Sequence, residues 1–280
     1  MMHFVFADDS RQQTPSRPGM DYPLVAVGGV FIPSDAVRNA ERSLEDLCGA
    51  VGFPPREQFK WSPGRELWMH AGLGGDARRD FFIRALRLLQ DNGTRVVVVI
   101  EDTGRATATG CAAHQLDATK LFLERVHNYL SFTGSADWDG VVIADRPSGG
   151  RSDEDKFLLQ CLETLHDGTE YVKPERIAVN VLSTPARLVR LVQAADLVTS
   201  CTLALVGGED SFSPPIFEAI RPMLLNSGAA TGGVGLKIHP DLRYANLYRW
   251  LLGDEYIWRG GWGTPLPQER LPYATGPNRP

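Results

Sequence analysis

The sequence predicts a layered α/β domain whose sheet has parallel neighbours. Three observations lead there. Strand-like and helix-like stretches alternate through the second half of the chain. Arg95–Ile100 carries a continuous V-V-V-V-I run, of the kind found in strands covered on both faces. Two strand-like segments, His3–Asp8 and Val141–Asp145, end in the same way: an apolar run, an alanine and an aspartate.

In chain order, the first strand, H-F-V-F-A-D, sends Asp8 and Asp9 to opposite faces by its period-two alternation. Leu24–Ile32 reads as a second strand, and its Gly28–Gly29 pair signals a bulge or a close backbone approach. Ser34 is placed to cap an amphipathic helix over 35–50. The segment 54–68 follows, with Lys60 between Phe59 and Trp61. A second helix spans 76–90 and ends at Asn92–Gly93, residues that tolerate positive φ. After the third strand comes a helix over 115–131, with Glu124 among its apolar residues. The fourth strand is Val141–Asp145, Asp153 caps a helix over 154–166, and Arg176–Leu182 makes a fifth strand.

Ala186–Cys201 is then expected to be a buried helix, because nearly every face drawn through it is apolar. Pro185 suits its first position, with Ser183 or Thr184 as N-cap. Gln193, Asp196, Thr199 and Ser200 share one polar stripe on it. A carboxylate in such a place either neutralises or finds a cation, and the bland alternative is a structural aspartate hydrogen-bonded nearby. Beyond Gly207 come a short helix near 215–225, the strand-like L-K-I-H-P at 236–240 and a helix over 243–252. The proline-rich tail from about 263 reads as loosely attached.

Composition narrows the function. The 280 residues carry a net charge of −5, which argues against coating nucleic acid or an anionic membrane by bulk charge. Local basic spots remain, among them Arg146 with Arg151. No apolar run approaches the roughly 20 residues of a membrane span. Four scattered cysteines without a C-x-x-C suggest a reducing cytoplasm. Cys111, His114 and His127 invite a zinc reading, but a fourth ligand at suitable spacing is missing.

Carboxyl ends of parallel strands share one edge of an α/β sheet, where ligands bind. If the first and fourth strands are adjacent, Asp8 and Asp145 stand side by side there, and the helix bearing Asp196 completes a cluster. Packed carboxylates repel, and divalent ions resolve the repulsion more cheaply than protonation. Oxygen-only ligands suit Mg²⁺ or Mn²⁺, and two such ions about 3.5–4 Å apart serve phosphodiester hydrolysis.

The F-A-D-D-S start, the F-K-W segment, V-V-I-A-D-R, the Q-A-A-D helix and L-K-I-H-P together resemble the bacterial domain-of-unknown-function family 3800. Two departures stand out: Asp9 replaces a Glu, and Arg11 stands where a Gly follows Ser10. The resemblance implies a ribonuclease H-like mixed sheet flanked by helices over residues 1–206. It implies a helical insertion at about 34–92 between the second and third strands, and a C-terminal extension over 207–280 packed on the domain. It makes Asp8, Asp145 and Asp196 metal ligands and adds Glu124 as a fourth catalytic carboxylate. Lys60, Arg146 and Gln193 become the residues expected to contact substrate. The expected function is a Mg²⁺/Mn²⁺-dependent nuclease or related phosphodiester hydrolase, with nucleic acid as partner and a setting in phage defence or mobile elements by analogy. Its rival is a non-catalytic module of the same fold that binds nucleic acid or protein and keeps its carboxylates as structural groups. A haloacid dehalogenase-type phosphatase fits less well, since that chemistry wants two aspartates two residues apart after the first strand.

Overall fold

The computed structural model describes residues 2–104, 111–132, 138–228, 230–240, 243–259 and 262–266. The strands are β1 (Met2–Gln12), β2 (Leu24–Pro33), β3 (Arg95–Asp102), β4 (Asp139–Asp145), β5 (Leu182–Thr184) and β6 (Leu236–His239). They form one mixed sheet in the order β5-β4-β1-β2-β3-β6. Antiparallel pairing of β2 with β1 and β3, and parallel pairing elsewhere, leave β2 as the reversed strand. The helices are α1 (Val37–Val51), α2 (Trp68–Gly72), α3 (Gly75–Asp91), α4 (Cys111–Phe132), α5 (Arg151–Asp167), α6 (Arg190–Val206) and α7 (Ser213–Ile220).

Alternation in the strands divides the core into two layers. Phe6, Ala26, Val30, Val98 and Ile100 face α1, α3, α6 and α7. Val5, Ala7, Val27, Phe31, Val97 and Val99 face α4 and α5. The insertion is therefore no separate unit: Leu44, Phe81, Phe82 and Leu86 join the same core as α6. The C-terminal extension is equally continuous with the domain. It supplies β6 and buries Tyr244 and Tyr248 in that core. Residues 262–265 form a hairpin strand, β8, against β7 (Tyr256–Arg259), while 267–280 of the expected loose tail lie outside the described residues.

The Gly28–Gly29 pair is a close approach rather than a bulge, since both residues keep their register with β1 and β3. A Cβ on Gly28 would lie 2.5 Å from Thr199 Oγ1 of α6, and one on Gly29 would lie 3.1 Å from the Phe122 ring of α4. Helices on both faces thus settle against bare backbone.

Several expected boundaries shift. Ala186–Leu188 is a 3₁₀ turn, and Val189 is extended at φ −138°, ψ 114°, so α6 begins at Arg190. Neither Ser183 nor Thr184 caps it. Glu41 of α1 does, accepting the Arg190 and Leu191 N–H groups at 2.6 and 3.0 Å. At the other end Arg17 donates to the Val206 and Leu205 carbonyls at 2.7 and 2.6 Å. An anion at the N-terminus and a cation at the C-terminus both match the helix dipole. Between them Leu191, Val192, Leu197, Val198 and Leu203 are buried, each contributing about 1.5–3 kcal/mol of transfer free energy. No Ser34 cap forms, since α1 starts at Val37 behind Ala36, and α5 starts at Arg151 with Asp153 in its first turn. The fifth strand lies at Leu182–Thr184 instead of 176–182, where Ile177 makes only an isolated bridge to Gly140.

Candidate functional site

The last β1–β4 pair is Ala7 with Ala144, and the next residue on each strand is an aspartate. β1 continues past that point along β2 to Gln12, whereas β4 ends at Asp145. The parting strands open a cleft of about 370 Å³. Asp8, Asp145 and Asp196 line it, together with Lys60, Arg146, Arg187 and Gln193. Asp9 points to the opposite face, where Gln115, Thr119 and Cys161 surround a void of about 40 Å³ that reaches Asp8 and Asp145 from behind.

Each carboxylate is held differently. Asp196 is buried; its Oδ2 accepts the Trp61 N–H at 2.8 Å and its Oδ1 the Ser200 hydroxyl at 3.1 Å. Asp145 Oδ1 accepts the N–H groups of Ala186 and Arg146 at 2.7 and 2.8 Å, which leaves Oδ2 uncommitted among the described residues. Asp8 Oδ1 accepts the Asp9 N–H at 2.8 Å and likewise keeps one oxygen uncommitted among the described residues.

Electrostatics follow from this crowding. Burial, then the charges of Asp196, Asp9 and Asp145, hold Asp8 well above the usual carboxylate range. Burial also raises Asp196, opposed by the Trp61 N–H, Lys60 and Ser200. Among the described residues no three Asp, Glu, His or Cys side chains stand close enough together to hold an ion as they are placed.

Lys60 is exposed, and its two neighbours are fixed to α6. Trp61 is bound through Asp196, and Phe59 donates its N–H to Gln193 Oε1 at 3.1 Å. Gln193 was expected to contact substrate, and it lines the cleft, yet its polar atoms are engaged with the protein. Its Nε2 donates to the Ala186 carbonyl at 2.8 Å, and Oε1 also accepts Arg190 Nη1 at 2.8 Å. Arg190 is itself pinned by Glu45 and the Glu57 carbonyl. Gln193 therefore ties the Lys60 segment, the turn that holds Asp145, and the helix bearing Asp196 into one frame.

Glu124 does not join the cluster. It is buried two turns further along α4, where it accepts a hydrogen bond from the Thr169 hydroxyl. Polar α4 residues that line the void behind Asp8 and Asp145 are Gln115, bound by Arg11 at 3.2 Å, and Thr119. The zinc alternative also disperses: His114 Nδ1 lies 2.5 Å from Glu101, and His127 accepts from the Arg176 N–H, while the Cys111 side chain lies outside the described residues.

Arg187, Gln58 and Ser148 line the cleft without having been singled out in the sequence. They come from three separate loops, so no local spacing marks them. No protein-family model matches the chain, and no curated protein matches it. No helix among the described residues is long and apolar enough to cross a membrane.

Proposed function

We propose that the cleft is the active site of a Mg²⁺- or Mn²⁺-dependent phosphodiester hydrolase of ribonuclease H-like architecture. One observation carries the reading: three carboxylates from β1, β4 and α6 share a cleft whose walls carry Lys60 and Arg146. The fold supports it at a coarser level, since a mixed sheet flanked by helices, with α1 to α3 inserted between β2 and β3, is what the resemblance to the domain-of-unknown-function family 3800 implies.

The donor types suit a hard divalent cation, which would draw together three side chains that as placed do not close on one point. Asp8 and Asp145 each offer an uncommitted oxygen, Asp196 adds a third carboxylate, and their mutual repulsion is what such a charge relieves. Bound there, one or two ions would supply an activated water and stabilise the attacking and leaving oxygens. The chain's own part is positioning. Gln193 and the N–H of Ala186 fix the Asp145 turn, Trp61 N–H fixes Asp196, and Lys60 and Arg146 neutralise the phosphate.

One observation favours the non-catalytic module: Asp196 already accepts a backbone N–H and a hydroxyl, as a structural aspartate does. Isothermal titration of Mn²⁺ into the protein and its Asp196→Asn variant separates the two readings. Heat in the parent that the variant lacks supports the metal site, and screening of phosphodiesters follows. Equal heats in both proteins, with and without a phosphodiester, would sink it.

A further inference from the structure

The shape and charge of the cleft constrain what can enter. It is bounded by Gln58–Lys60 of the insertion, by Arg146–Gly150 after β4 and by Pro185–Arg187 before α6. At about 370 Å³ it lies at the small end of ligand pockets, which suits a single small ligand. Its three cations, Lys60, Arg146 and Arg187, come one from each of these walls. Arg146 is shared with Glu154 at 3.2 Å, whereas neither Lys60 nor Arg187 has a carboxylate within ion-pair distance among the described residues. Beside the Arg146 wall the charge is mixed. α5 opens with Arg151 and then presents Asp153, Glu154 and Asp155, and the whole chain is at −5. A protein that holds a duplex neutralises many phosphates in succession, commonly about 6–10, along an extended basic face. Here three cations line one cleft.

We infer that the cleft admits one nucleotide unit, its phosphate gathered by Lys60, Arg187 and Arg146, so that the substrate is a dinucleotide or the free end of a single strand and not the interior of a duplex. The inference rests on the phosphodiester reading of the same site. The reaction is hydrolysis: water oxygen bonds to phosphorus, the ester P–O bond to the neighbouring nucleoside breaks, and the departing oxygen takes a proton. It needs no oxidant or reductant.

The test uses the full chain with Mn²⁺ and three probes: a thymidine dinucleotide, an end-labelled single strand, and a duplex closed by hairpins at both ends. Binding of the dinucleotide and of the closed duplex is followed by calorimetry on Asp196→Asn, and products are followed on the parent. The inference expects dinucleotide binding that Arg187→Gln weakens about tenfold, stepwise shortening of the single strand, and no action on the closed duplex. Internal cuts in the closed duplex, or duplex binding tighter than dinucleotide binding, overturn the inference while leaving the hydrolase reading intact. Dinucleotide binding without turnover of any probe removes the hydrolase reading, and the inference about its substrate falls with it. Neither binding nor turnover removes both.

Discussion

Asp8 and Asp145 stand one register step beyond the last β1–β4 pair, at the point where β1 continues along β2 and β4 turns away. The strands themselves therefore hold the two carboxylates as neighbours, and Asp145 is further fixed by N–H groups from Ala186 and Arg146, both to Oδ1. An asparagine at 145 keeps that acceptor oxygen. Asp145→Asn is expected to unfold at a denaturant midpoint close to that of the parent, a difference within about 0.5–1 kcal/mol, while losing Mn²⁺ heat and any phosphodiester hydrolysis. Activity retained in this variant and in Asp196→Asn would end the carboxylate mechanism.

Gln193 makes a different prediction, because its amide is committed within the protein. Truncation to alanine leaves the buried Phe59 N–H without its acceptor and deprives Arg190 of one of its own. Each unmet buried group costs about 1–3 kcal/mol, so Gln193→Ala should lower the urea midpoint clearly and weaken Mn²⁺ binding together. A residue that only contacted substrate would leave stability unmoved. The two readouts therefore separate a frame residue from a binding residue.

Glu209 governs acid stability at the start of α7. Burial alone would raise its pKa, but hydrogen bonds from the Ser211 and Ser213 hydroxyls and the Phe212 and Ser213 N–H groups bring it down to about 2, against an ordinary 4.5. A carboxyl lowered on folding adds stability that is complete above the unfolded value and disappears as pH falls through the folded one. Thermal unfolding of the parent and Glu209→Gln should differ most above about pH 4.5 and converge as pH approaches about 2. A gap that stays constant over that window would show that the loss is one of packing.

What could be read from the sequence follows from how local each signal is. Asp8 and Asp145 announce themselves because an apolar run must end before a carboxylate can reach solvent, and Asp196 because a charge interrupts an apolar helix. The two-layer sheet was legible in the same way, through the V-V-V-V-I run of β3 and the alternation in β1. Long-range pairings were not. Glu124 was added to the site only by the resemblance, and its partner, Thr169, is 45 residues away in the chain. Glu41 caps α6 from 149 residues upstream, so Pro185 looked like the helix start when the extended Val189 in fact separates the two. Arg187 lines the cleft from the 3₁₀ turn just before that break.

Gly28 and Thr199 provide a test of the helix–sheet contact on which the site depends. α6 carries Asp196 less than one turn from Thr199, and its approach to β2 is set by the missing side chain at Gly28: an added Cβ would meet Thr199 Oγ1 at 2.5 Å and the Val97 carbonyl at 3.0 Å. Thr199 is fully buried and its hydroxyl has no hydrogen-bond partner among the described residues, so removing that oxygen forfeits little polar bonding. Overpacking of this kind costs about 1–3 kcal/mol, which is the loss expected for Gly28→Ala in urea unfolding. Thr199→Ala removes the nearer obstacle, so the double variant should recover part of that loss and give a non-additive cycle, as residues in contact do. Additive losses would mean that the Val97 carbonyl, not α6, limits the space, and Mn²⁺ binding should then survive Gly28→Ala because the helix has not been displaced.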